Sequence, residues 1–287
     1  MNKTELVKEI NKIFHDIESR NYDERHPEII FGEKEWWNQL SNRYIKNETK
    51  KPRILLDIAT GNGFVPNIAL KHLNNKDKTI GYDISLDMLK QAKIKINNHN
   101  FNAIQGDAEK LPFKNKSIDI VTINTAIHHF PNLQISLKEI DRVIKSRGIL
   151  IIGREPNKKF FDSSIVKILT KIYNIIWGIK MDKKMKNEIN QKLKEKGLIN
   201  KDLSKKEIIG FVEYNSIPEH QGIKSSDDNF SSETLLNFFK NYEALESTTI
   251  STFIYRSPLP FKNTLNRIIK KALNNQGSMF SLILKKK

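Results

Sequence analysis

The sequence contains no cysteine in its 287 residues. That absence excludes disulfides, thiolate metal sites, cysteine nucleophiles and cysteine-held iron–sulfur clusters, and it favours a cytoplasmic setting. It also lacks any apolar run of about 18 residues, so no membrane-spanning helix is expected. The N-terminus is polar and charged from Asn2 onward, unlike a signal peptide. Arginine is scarce, 9 against 40 lysines, and 33 acidic residues face 49 basic ones. The resulting net charge of +16 invites a polyanion, yet half of it lies in residues 157–210, which hold no arginine. Arginine is the better fork for phosphate, so nucleic acid is not the expected partner.

What the chain does have is one organising stretch at 52–64, P-R-I-L-L-D-I-A-T-G-N-G-F. Its apolar run, broken only by Asp57, suits a strand buried on both faces. Ala59, Thr60, Gly61, Asn62 and Gly63 then supply small residues for a sharp turn, and a helical pattern follows with Pro66 in its first turn. Strand, glycine turn and helix start place unpaired N–H groups beside a crevice.

Residues 79–83 read as a second strand ending in Asp83, and 86–96 as a helix that Ser85 can cap. Residues 101–105, 117–124 and 148–154 read as strands three to five, with a helix at 133–144 before the last. Strands alternating with helices predict an α/β fold, a doubly wound parallel sheet with helices on both faces. Right-handed crossovers then gather Asp57, Asp83, Asp107, Asn124 and Glu155 at one edge, where such sheets bind ligands.

The pattern at the crevice reads as a nucleoside site. No phosphate-binding loop is present, and Pro66 occupies the third glycine position of a dinucleotide fingerprint. Asp83 can accept both ribose hydroxyls, and Asp107 can accept from an exocyclic amine such as that of adenine.

The runs I-L-L-D-I-A-T-G-N-G-F, G-Y-D-I-S and G-D-A-E-K-L-P-F resemble the class I S-adenosylmethionine-dependent methyltransferases. The branch most resembled includes the quinone-biosynthesis C-methyltransferases. The resemblance covers 52–156 and, through the late G-S-M-F-S-L-I-L-K, 247–287. It implies a seven-stranded, mostly parallel sheet in the order 3-2-1-4-5-7-6 with strand 7 antiparallel, and S-adenosyl-L-methionine as cofactor. It also implies that Asp57, Ala59, Gly61 and Gly63 surround the methionine moiety, that Asn62 between them binds the cofactor, and that Asp83 takes the ribose. Ile84 and Met88 would line the adenine, Asp107 and Ala108 would bind its edge, and Asn124 would sit near the sulfonium. Ala59 replaces the first glycine of the usual D-x-G-x-G-x-G pattern.

Four segments are expected: a helical N-terminal cap (1–50), the cofactor-binding core (51–156), a helical insertion or lid (157–245) and C-terminal strands completing the sheet (246–287). In the cap, Tyr22 and His26 are candidates to face a substrate, while Trp36 and Trp37 pack onto the core. His128 and His129 are the candidate bases, because histidine titrates near neutrality. Arg154 and Glu155 are candidate substrate-orienting charges, the alternative being a surface pair that caps the sheet. No metal ligand set is picked out. A clean amphipathic helix at 165–179 reads as core or lid; its alternative is peripheral membrane contact through 161–180. The segment 183–206 reads as a solvated helix. The function expected is methylation of a small, hydrophobic acceptor at oxygen or carbon. RNA or protein methylation is the alternative, disfavoured because N-T-A-I at 124–127 is not an Asn/Asp-Pro-Pro-aromatic run. A non-catalytic cofactor-binding scaffold is the second alternative. Oligomeric state is not legible.

Overall fold

Alternation within the central strands sends successive side chains to opposite faces, and each face finds its own helices. The computed structural model describes residues 3–26, 33–46, 48, 51–157, 160, 163–164, 166, 168, 181–213, 231–250, 261–272 and 277–287. Seven strands, β1 (Ile54–Ile58), β2 (Lys78–Asp83), β3 (Phe101–Gln105), β4 (Ile118–Asn124), β5 (Ile144–Pro156), β6 (Tyr242–Ile250) and β7 (Met279–Lys286), form one sheet. Their order is β3-β2-β1-β4-β5-β7-β6. Strands β1 to β5 pair in parallel, and β7 runs antiparallel to both β5 and β6. This is the doubly wound sheet expected from the sequence.

The described helices are α1 (Lys3–Glu18), α2 (Tyr22–Arg25), α3 (Lys34–Leu40), α4 (Phe64–Ala69), α5 (Leu86–Lys95), α6 (Leu133–Val143), α7 (Lys183–Glu195), α8 (Lys205–Val212), α9 (Ser232–Phe238) and α10 (Lys262–Ala272). On one sheet face Leu56, Ile58, Val121, Ile123, Leu150 and Ile152 pack against Leu137 and Ile140 of α6 and Leu235 of α9. On the other, Leu55, Ile120, Ile151 and Ile283 meet Trp37 and Leu40 of α3 and Val65 and Ile68 of α4. Burying each such side chain contributes about 1.5–3 kcal/mol.

A third apolar cluster lies away from the sheet. Ile10, Ile13, Phe14 and Ile17 of α1 pack on Met185, Ile189 and Leu193 of α7 and on Ile208 and Val212 of α8. The N-terminal segment and the insertion therefore build one helical cover together. The segment expected as a solvated helix buries a face here, because its apolar residues recur at helical spacing between lysines. Asp182 caps α7, and Ser204 with Glu207 forms a capping box on α8.

Several bounds differ from the sequence reading. Strand β5 starts earlier, at Ile144, and its first part joins β4 across a bulge. Strand β6 begins at Tyr242, inside the segment expected as insertion, because Y-E-A-L-E-S has helix-forming residues yet finds β7 as its partner. Helix α9 correspondingly stops at Phe238. Most of the amphipathic segment 165–179, with its suggested lid and membrane roles, lies outside the described residues. Among the described residues, no helix is long and apolar enough to cross a membrane.

Candidate functional site

Three strands end in backbone that L-residues adopt at a cost. Ala59 after β1 has φ +54°, Thr125 after β4 has φ +52°, and Arg154 near the end of β5 has φ +56°. Each left-handed residue costs about 1–2 kcal/mol, and such conformations cluster at ligand sites. Gly61 and Gly63 continue the turn at φ +53° and +83°. A Cβ on Gly63 would lie 2.6 Å from Ile96 Cδ1, so glycine lets the turn pack directly on α5.

The turn opens onto a cleft of about 860 Å³ of free space, its mouth included. Its lining is largely apolar with a few converging polar groups, the makeup of a small-molecule site. One wall is the sheet edge, with Ile58, Ala59, Gly61, Asp83, Ile84, Met88, Asp107, Ala108 and Asn124. The other wall carries Lys8, Asn11 and His15 of α1 together with Tyr22, His129 and Phe130.

The charged groups of the sheet-edge wall are the carboxylates of Asp83 and Asp107. Asp83 is buried, accepts from the N–H of Gly61 and of Ser85, each at 2.8 Å, and has its carboxyl pushed up by desolvation against those two bonds. Asp57 lies behind the cleft, where Thr122 Oγ1 donates to it at 2.5 Å. Burial pushes its carboxyl up to about 7, with the nearby Asp83 charge adding to the rise. Asp107 and Glu109 both receive Lys8 Nζ, each at 2.7 Å. Burial works against the Lys8 charge, but the two carboxylates outweigh it and hold the ammonium above its ordinary value.

The remaining expected residues divide by placement. Asn124 borders the cleft; its Oδ1 accepts from Trp37 Nε1 at 3.2 Å and its Nδ2 donates to Glu33 Oε2 at 2.9 Å. Asn62 and Gly63 lie off the cleft, and the Asn62 amide donates to Asp23 Oδ1 at 2.6 Å. Tyr22 borders the cleft, whereas His26 turns away from it and pairs with Glu18 Oε1 at 3.1 Å. Burial opposes the Glu18 charge, but bonds from His15 and His26 hold that carboxyl far below its usual range.

Arg154 and Glu155 are not a surface pair: they are 3% and 0% exposed, and neither borders the cleft. Arg154 lies 4.1 Å over the Trp36 ring. Glu155 Oε1 accepts from the N–H of Ala126 and Ile127 at 2.8 and 2.9 Å, and Oε2 lies 2.8 Å from His128 Nδ1. An acid on β5 thus fixes the turn that carries both histidines. His128 sits behind the cleft; burial disfavours its charge, but Glu155 and Glu213 hold its pKa above the ordinary value. His129 borders the cleft, and burial together with the His128 charge pushes its pKa down to about 3. Its ring stays neutral near pH 7, a lone-pair donor and a weak base.

Lys8, Asn11 and His15 were missed in the sequence. Their spacing, one stripe on the polar side of α1, was the available signal, and it reads equally as a solvated face. Asn11 Oδ1, Glu109 Oε1, Thr125 Oγ1 and Ser136 Oγ are buried at the cleft without a hydrogen-bond partner among the described residues. An acidic cleft with orphaned acceptors and hydroxyls fits a cationic nucleoside bearing an amine and a diol.

A family model described as a methyltransferase domain matches residues 56–152. A demethylmenaquinone methyltransferase of Staphylococcus carnosus is 34% identical over 152 residues, 52% of this chain and 61% of that relative. An uncharacterised protein of Methanocaldococcus jannaschii is 31% identical over 272 residues, covering 88% of this chain and 96% of that one. The chain belongs to the class I S-adenosylmethionine-dependent methyltransferases. S-adenosylmethionine is the cofactor of this methyltransferase family, and the acidic cleft described above fits it. A geranyl diphosphate C-methyltransferase of Streptomyces coelicolor A3(2) shares the fold, with a TM-score of 0.53 at 10% identity over 88% of this chain and 78% of that one. The chain covers 61% of the S. carnosus relative's length.

Proposed function

We propose that this chain transfers the methyl group of S-adenosylmethionine to an oxygen or carbon of a small, apolar acceptor in the cytoplasm. The observation that carries this reading is that α1, held by α7 and α8, walls one side of the cleft with Lys8, Asn11 and His15, which favours a small molecule over a macromolecule. The name of the S. carnosus relative, a demethylmenaquinone methyltransferase, supports a small-molecule acceptor.

The bound cofactor supplies an electrophilic methyl group on a sulfonium. Asp83 would receive the ribose hydroxyls, Asp107 and Ala108 would meet the adenine edge, and Ile84 and Met88 would line the adenine pocket. Ala59 and Gly61 would border the methionine end, with Asp57 supporting their turn from behind the cleft. Asn124, pinned between Trp37 and Glu33, holds the sulfonium end in register. Phe130 and Tyr22 offer the acceptor an apolar seat. Displacement at a sulfonium needs alignment above all, and orientation within such a chamber can contribute several kcal/mol, of the order of 7–11 at most. His129 is the histidine that reaches the acceptor space, and its weak basicity leaves positioning with most of the work.

Incubation with methyl-labelled cofactor and a fractionated cell extract tests the reading. Label is expected in a solvent-extractable small molecule. Label confined to RNA or protein would overturn the acceptor class, and cofactor binding without any labelled product would overturn the enzyme.

A further inference from the structure

Both histidines after β4 are held from behind. His129 Nδ1 lies 2.6 Å from the carbonyl oxygen of Val212, which can only accept. The ring therefore carries its proton on Nδ1 and presents a lone pair on Nε2. His128 Nδ1 faces Glu155, whose other oxygen already takes two backbone N–H groups, and this leaves His128 Nε2 pointing away from Glu155. Histidines anchored through one nitrogen by a carboxylate or carbonyl, with the other nitrogen free, have the arrangement found in metal-ligating histidines.

The third group comes from a distant segment. Glu213, next to Val212 at the end of α8, brings Oε2 to 3.5 Å from His128 Nε2. One nitrogen of each ring and one Glu213 oxygen lie within 4.8 Å of one another. Donors about 2.0–2.2 Å from a tetrahedral ion stand about 3.3–3.6 Å apart, so the cluster would close by at most about 1.5 Å to hold one.

We infer that His128, His129 and Glu213 form a binding site for a divalent first-row transition ion, at the border of the cleft where His129 sits. Two imidazoles and a carboxylate leave coordination positions open to an oxygen of water or of an acceptor. An acceptor hydroxyl in such a position would lose its proton more readily. That role rests on the methyl-transfer reading; the binding site does not. Without an ion, the same geometry lets the His128 ring bridge Glu155 and Glu213, a purely structural contact.

Titration of the chelator-stripped full chain with Co²⁺, followed by its visible absorption bands, separates the two. One equivalent of Co²⁺ is expected to bind, to be displaced by Zn²⁺, and to bind at least about tenfold more weakly to Glu213→Gln and to His129→Asn. A His72→Asn/His99→Asn double variant is expected to bind as the unaltered chain does. Absence of stoichiometric binding of either ion up to about 0.1 mM would overturn the site, as would unchanged affinity in both ligand variants. Should a variant fold poorly, nitrogen NMR of the unaltered chain decides: two of its seven histidines must show a metal-shifted Nε2 with one equivalent of Zn²⁺, and none doing so overturns the site.

Discussion

The two walls of the cleft are built by different means. The sheet-edge wall is backbone-defined: Asp83 is clamped by two N–H groups, Ala59 and Thr125 hold left-handed conformations, and the strands beneath are buried on both faces. The helical wall depends on side chains. One apolar cluster joins α1 to α7 and α8, assisted by the ion pairs Arg20–Glu188 and Lys196–Glu9 at 2.7 and 2.9 Å. Exposed pairs of that kind contribute only about 0–1 kcal/mol. A rigid wall suits a cofactor that must be aligned, whereas the cover meets the sheet edge through side chains alone, among them Lys8 on Asp107 and Glu109 and Asp16 on Ser85.

Substitutions on each wall test this contrast. Asp83→Ala removes the proposed ribose acceptor, and calorimetry should show cofactor affinity falling at least about 100-fold, or roughly 2.7 kcal/mol. Gly63→Ala combines a left-handed φ with the Ile96 clash and should lower unfolding stability by about 2 kcal/mol in a denaturant titration. Asp57→Asn probes the electrostatics. The folded pKa of Asp57 is raised from 3.8 to about 7, so its ionisation costs the cofactor-free fold nothing below the lower value and the full amount above the upper one. Stability due to this group therefore falls as pH rises through that window. The melting temperature of the variant relative to the unaltered chain should be more favourable at about pH 8 than at about pH 5.

Smaller effects are expected elsewhere. Ala59→Gly should raise stability by about 1 kcal/mol, since glycine adopts φ +54° without strain. Lys8→Ala breaks the bridges from α1 to Asp107 and Glu109. It should cost at most about 1 kcal/mol of stability, a loss that shrinks in high salt, and stopped-flow should show faster cofactor release.

The same contrast governs what the sequence made legible. Strands β1 to β5 and the acids at their ends were readable because apolar runs and glycine turns are local patterns. The sheet order and β7 came through family resemblance, since pairing across a long insertion leaves no local trace. Strand β6 was misplaced because Glu243, Ala244 and Leu245 favour a helix until β7 supplies a partner. Lys8, Asn11 and His15 were hidden because the polar stripe of an amphipathic helix looks alike whether it faces water or a ligand. Glu155 was found by position, but its burial under the histidine turn depends on contacts between β5 and a loop far away in sequence.

The account rests on the cofactor lying against the sheet edge with its reactive end toward the helical cover. A crystal structure with S-adenosylhomocysteine bound tests this directly. The account expects both ribose hydroxyls on Asp83, the adenine between Ile84 and Met88, and the sulfur facing the space bordered by Asn124 and His129. An adenosyl group bound outside this cleft, or bound within it with Asp83 still making only its two backbone contacts, would contradict it.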